Sequence, residues 1–220
     1  MTATISRLYD DYSTAQSAVT DLQAAGIPHS DISIVASNAD NWYSADGTRR
    51  TGTSASARVD RDRDGTDDRA EGAATGAGIG AAIGGTAGVL AGLGMLAIPG
   101  LGPVVAAGWL ASLAAGAAAG GLTGGVIGAL TQAGVSEDDA HVYAEGVRRG
   151  GSLVTVRVPE ADRARVEAIL DRSAVDIRER GETYRRSGWT RFDTAAKPYT
   201  ADEVRREREA YGSATRRTTL

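Results

Sequence analysis

Apolar positions at the start of the chain change period twice. A short run over 5–9 gives way to Ala15, Ala18, Val19, Leu22 and Ala25 at helical spacing, and Gly26-Ile27-Pro28 then stops the pattern. This predicts a strand and a core-facing helix, followed by a second strand over 30–36 with Ile32 and Ile34 on one face. Far downstream, Ser136 precedes Glu137, Asp138 and Asp139, the signature of a helix N-cap with an acidic first turn. That helix runs through Val142, Tyr143 and Val147 to Arg149. Val154, Val156 and Val158 then alternate as a strand over 153–158. Pro159 opens a helix with Val166, Ile169 and Leu170 inward, and Val175 and Ile177 mark a last strand.

The middle of the chain follows neither period. Between Glu71 and Glu137 there is no Asp, Glu, Lys or Arg, and most of the 29 glycines fall there. Pro99-Gly100-Leu101-Gly102-Pro103 divides this stretch, because proline lacks the N–H that would continue a helix and glycine takes backbone angles closed to other residues. As helices, the two arms, 72–98 and 104–133, would each rise about 40 to 45 Å, against a hydrocarbon core of about 30 Å. Gly72, Gly76, Gly80, Gly84, Gly88 and Gly92 recur every fourth residue in the first arm, and Gly108, Ser112, Gly116, Gly120, Gly124 and Gly128 in the second. Stripes of small residues let helix backbones approach closely where lipid offers no drive for association. The pattern predicts a glycine-zipper helical hairpin, a transmembrane pair that self-assembles. Arg49, Arg50, Arg58, Arg61, Arg63, Arg69, Arg148 and Arg149 would hold both flanks on the cytoplasmic side of the inner membrane. A second reading leaves the protein cytoplasmic, as a soluble oligomer with the hairpin buried between protomers.

Together these elements predict an α+β chain. A ferredoxin-like domain, residues 1–39 and 136–180, is split by an acidic linker over 40–71 and the hairpin over 72–135, and a basic, aromatic, partly disordered tail spans 181–220. Three segments, ISRLYDDYSTAQSAVTDLQAAGIPHSDISIVAS, GLGMLAIPGLGPVVAAGWLA and GVSEDDAHVYAEGVRRGGSLVTVRV, resemble the bacterial general stress protein family with the heat-induced YflT-like domain. The resemblance covers the chain to about position 180. It implies a stress-induced, often membrane-predicted protein with no established enzymatic activity, and it brings no catalytic residue to carry over.

Composition narrows the chemistry. The 220 residues contain no cysteine, which removes thiol nucleophiles, thiolate metal sites and disulfides, and only two histidines. His29 and His141 have no evident third ligand or carboxylate partner in the sequence and read as structural. A net charge of -4 argues against a general nucleic-acid binder. The glycine-rich arms contain no phosphate-cradling motif, so no small-molecule substrate is evident. No basic n-region followed by an apolar h-region stands at the N-terminus, so no cleaved export signal is expected.

Two segments carry candidate ligand chemistry. Asp60, Asp62, Asp64, Asp68 and Glu71 occupy positions 1, 3, 5, 9 and 12 of a calcium loop, with Gly65 at position 6. Asp67 at the usually aliphatic position 8 and the neighbouring Arg61, Arg63 and Arg69 weaken the match to a weak calcium site or a solvated acidic linker. In the tail, Arg185, Arg186, Arg191, Lys197, Arg205, Arg206, Arg208, Arg216 and Arg217 are interleaved with Tyr184, Trp189, Phe192, Tyr199 and Tyr211. That mixture suits an anionic lipid surface or a mostly disordered tail with one short charged helix from Thr200 to Ala210. The expectation from sequence is a non-enzymatic, membrane-associated homo-oligomer.

Overall fold

A computed structural model describes residues 2–43, 94–113 and 125–218. Five strands form one sheet: β1 (Thr2–Tyr9), β2 (Ile32–Ser37), β3 (Gly94–Ile98), β4 (Gly102–Ala107) and β5 (Ser152–Pro159). Their order is β1-β5-β2-β4-β3, and every neighbouring pair is antiparallel. Since β5 lies antiparallel to both β1 and β2, those two run parallel, joined by α1 (Tyr12–Ala24) with a strand between them, a split βαβ unit.

Both faces of the sheet are covered. Ile5, Tyr9, Ile32, Ile34, Val154 and Val156 meet Ala15, Val19 and Leu22 of α1 and Val166 and Leu170 of α4 (Arg163–Leu170) in one core cluster. Asp11 caps α1, its carboxylate accepting from the Thr14 N–H at 2.8 Å. The opposite face, with Leu8, Val35, Val104, Ala106 and Leu153, packs against α2 (Gly125–Gln132) and α3 (Glu137–Arg148). All six positions of β2 are buried, which is what a central strand covered on both sides requires. Gly146 allows α3 to approach β1, because a Cβ there would stand 2.5 Å from Leu8 Cδ2.

Two expectations are corrected here. The arms of the glycine-rich stretch do not continue as helices up to the turn at 99–103. They enter it as β3 and leave it as β4, paired from Gly94↔Ala106 to Ile98↔Gly102. Val104 and Val105 are β-branched, and β4 gains a ladder with β2 from Ser37↔Val104 to Ile34↔Ala107, a tertiary partner that an isolated helix would forgo. Further on, α2 is helical over eight residues, a rise of about 12 Å against the roughly 30 Å of a hydrocarbon core. Among the described residues no helix is long and apolar enough to cross a membrane, so the transmembrane helix pair is not supported.

The last expected strand is likewise absent. Asp176 caps a helix, accepting from the Arg178 and Glu179 N–H groups, so Ile177 opens α5 (Ile177–Arg186). What remains of the strand is one backbone hydrogen bond, from the Val175 N–H to the Leu8 carbonyl at 2.8 Å, on the outer edge of β1.

Residues 181–218 are largely helical. The boundary expected at 180 falls inside α5, and α6 (Ala201–Thr218) follows. Tyr184, Phe192 and Val204 are buried, which ties both helices and their connection to the domain.

Candidate functional site

The densest polar cluster stands where α3 ends. Glu145 is fully buried, accepting from Arg149 Nε at 2.7 Å and Arg148 Nη1 at 3.1 Å. Burial alone would lower the Arg149 pKa, but the hydrogen bond and charge of Glu145 outweigh it and raise it. The same guanidinium lies over the Tyr184 ring at 4.3 Å and reaches Glu207 of α6 at 3.4 Å. Arg208 bonds Asp40 at 2.8 Å and the Gly150 carbonyl at 2.7 Å, while Arg180 bonds Asp10 at 2.8 Å beneath the Tyr211 ring. Guanidiniums and carboxylates alternate through the cluster, each engaged with its neighbour. Its chemistry is that of a clasp holding α5 and α6 against α3.

A second polar contact fixes the segment between α5 and α6. His141, nearly buried on α3, accepts through Nε2 from Arg191 Nε at 2.7 Å, and Arg191 also pairs with Glu137. An acceptor at Nε2 means a neutral imidazole protonated on Nδ1. Burial, then the Arg191 charge, lowers the His141 pKa below its ordinary value. His29 lies in an exposed turn before β2.

This segment lies against the β3–β4 turn. A Cβ on Gly100, whose φ is +77°, would meet the Asp193 carbonyl at 2.7 Å, and one on Gly102 would meet Pro198 at 2.6 Å. One end of the hairpin is thus sealed by residues 192–198. Its outer strand is not: Gly94, Met95 and Ala97 are exposed, Met95 by 39%. Among the described residues β3 is the last strand of the sheet on that side, and it carries no charged residue.

The expected helix-packing glycines divide into three sets. Gly72, Gly76, Gly80, Gly84, Gly88, Gly92, Gly116, Gly120 and Gly124 lie outside the described residues. Gly108 ends β4 in a left-handed turn, φ +87°, pressed on the Ile32 carbonyl. Gly128 lies in α2, with no described atom within 4 Å of the place a Cβ would take. The acidic residues Asp60, Asp62, Asp64, Asp68 and Glu71 also lie outside the described residues.

Two open clefts lie among the described residues. One, of about 340 Å³, lies between α1 and α4 beside Asp21 and Arg172, and the other, of about 420 Å³, is lined by Arg7, Tyr143, Asp171 and Arg178. Arg7 is paired with Asp171 at 2.5 Å and Arg172 with Asp21 at 3.5 Å, so these four charges are already engaged.

No protein-family model matches the chain, and no curated protein or solved structure does so either. The clasp, the Arg191–His141 contact and the open strand were not singled out in the sequence. Glu145 followed by arginines three and four residues later was the available signal for the clasp, and Val104-Val105 beside two glycines was the signal for the strands.

Proposed function

We propose that this protein acts by association with protein chains, its own copies first, and not by catalysis. The observation that carries the reading is the edge of β3, which no described residue covers: an uncharged apolar strand, exposed at Gly94, Met95 and Ala97, at the border of an otherwise well-covered sheet. Strand edges present unpaired N–H and C=O groups that template pairing with another chain, and natural proteins ordinarily blunt them with charge, proline or a covering element. The polar clusters are consistent with this view, since their charges are spent on one another.

The resemblance to general stress proteins fits within the proposal. β1-α1-β2 with β5 between the parallel strands is the order of a ferredoxin-like unit, and Val175 touches β1 on the side where that unit's fourth strand would lie. On this reading the split domain is a stress-protein scaffold in the cytoplasm, and the uncharged glycine-rich region is its means of assembly.

Sedimentation velocity of the full chain without detergent tests the proposal. A weight-average mass that rises with concentration to a defined oligomer is expected. A monomer at every concentration would remove the reading.

A further inference from the structure

The hydrogen-bond pattern of the hairpin fixes what the open edge offers. Pro103 has no N–H, and its carbonyl accepts from the Asn38 N–H at 2.8 Å, on the β2 side. The Ala97↔Pro103 pair is therefore of the non-hydrogen-bonded kind, and by the alternation of an antiparallel ladder so is Met95↔Val105. The N–H and C=O groups of Met95 and Ala97 then point away from β4, outward. Leu96 and Ile98 turn their side chains to the second core cluster, which leaves Met95 and Ala97 on the other face.

We propose that β3 pairs with β3 of a second copy, antiparallel about a two-fold axis at Leu96, joining two five-stranded sheets into one. The inference rests on the self-association reading and names its partner and register. In this register Met95 faces the partner's Ala97 and Ala97 faces the partner's Met95, so the outward groups of both strands are satisfied as two hydrogen-bonded pairs. Leu96 meets the partner's Leu96, and Gly94 meets the partner's Ile98. Each large side chain apart from the central leucine thus falls opposite a small one, on both faces. A two-fold axis brings like charges together, and β3 has none to bring.

The other border of the sheet is built differently. At β1, Arg7 and Asp171 pair across the edge at 2.5 Å, and the Val175 N–H already occupies the Leu8 carbonyl at 2.8 Å. A charged pair and a covering segment are the ordinary guards of a strand edge. Among the described residues one border is guarded, and the other is bare and self-complementary.

Three variants of the full chain test the pairing. The chain has no cysteine, so Leu96→Cys introduces a single thiol. Facing residues of a non-hydrogen-bonded pair stand about 4.5 Å apart at Cα, within disulfide reach, whereas Met95→Cys would place its thiols on a diagonal of about 7 to 8 Å. Mild oxidation should convert Leu96→Cys to a covalent dimer and leave Met95→Cys largely monomeric on non-reducing gels. Ala97→Pro removes an N–H that the monomer does not use and should weaken dimerisation at least about tenfold by sedimentation from about 5 to about 500 µM. If that variant misfolds by circular dichroism, a charge pair replaces it. Met95→Lys/Ala97→Lys and Met95→Glu/Ala97→Glu should each be monomeric, and their mixture should form a heterodimer.

An oligomer that neither cross-links through Leu96→Cys nor responds to these edge variants overturns the register while leaving self-association intact. A natural chain that is monomeric throughout the range overturns both.

Discussion

Replacing Glu145 by Gln would test whether the clasp at the end of α3 holds the C-terminal helices in place. The carboxylate is fully buried, and its partners Arg148 and Arg149 are only 15% and 11% exposed. Removing one member of a buried ionic group leaves the others desolvated and uncompensated, a cost of about 3 to 5 kcal/mol. Arg149 keeps Glu207 at 3.4 Å and the Tyr184 ring, and Gln still accepts one hydrogen bond, so the cost falls at or just below the lower end of that range, about 2 to 3 kcal/mol. For a chain of this size that corresponds to a fall in Tm of roughly 5 to 10 °C. Urea unfolding at fixed pH measures the free energy directly, with tryptophan fluorescence reporting Trp189 beside Tyr184. Glu167→Gln serves as the comparison, because its partner Arg163 is half exposed and such surface pairs contribute little; no measurable change is expected there. A loss below about 1 kcal/mol for Glu145→Gln, at an unchanged urea slope, would refute the argument that burial makes this cluster the anchor of α5 and α6.

The glycines of the uncharged stretch should separate in the same assay. Gly108→Ala, at φ +87° and against the Ile32 carbonyl, should destabilise by more than about 2 kcal/mol, whereas Gly128→Ala, with open space around it, should be neutral or stabilise α2 by up to about 1 kcal/mol. Asp11→Ala should cost about 1 kcal/mol at neutral pH through loss of the α1 cap. Although burial raises the Asp11 pKa, hydrogen bonds from Ser13 and Thr14 lower it overall, so the cap's contribution is present above 3.8 and lost as pH falls through the lower folded-state value. The difference between Asp11→Ala and the natural chain should therefore shrink in acid unfolding curves. His141 has a folded pKa below its ordinary 6.5, so the unfolded chain binds more protons there and stability should decline as pH drops below 6.5 towards the folded value. Proton NMR of this two-histidine chain should show the His141 titration move upward in Arg191→Gln, and an unmoved titration would count against the Arg191 contact.

The elements legible in the sequence were those whose period is set by a local face. The helix with Ala15, Ala18, Val19 and Leu22 inward forms α1, the alternation of Val154, Val156 and Val158 lies in β5, and Ser136 caps α3 through the Asp139 N–H at 3.2 Å. The glycine-rich stretch misled because a run of small apolar residues fits a helix by spacing and a strand by composition. Between Gly94 and Ala107 the choice was made by β2, more than fifty positions earlier, which no local pattern announces. The break at Pro99-Gly100 was visible, but not the kind of element it joins. In the tail, charge alone did not show that Arg208 reaches Asp40 and the Gly150 carbonyl, or that Arg191 donates to His141.

One glycine of the uncharged stretch has a role that its spacing did not announce. Gly108 counted as one step of a helix-packing stripe, yet it is the residue that lets β4 leave the sheet against Ile32. Gly100 and Gly102 stand outside the stripe, and the segment over 192–198 closes on them. That closure has a consequence for assembly. The turn is sealed by Phe192, Asp193 and Pro198 and held through Arg191 on His141, so the hairpin is fixed to the domain at one end while its outer strand stays bare. A strand edge that is rigidly held loses little conformational freedom on pairing, which is the condition under which a short interface can associate at all. The clasp, the segment over 192–198 and the edge therefore act in series: the buried charges hold α5 and α6, these helices carry the segment that seals the turn, and the turn presents β3. If β3 pairs as proposed, loosening Glu145 should weaken dimerisation as well as stability, although no residue of the clasp belongs to that strand.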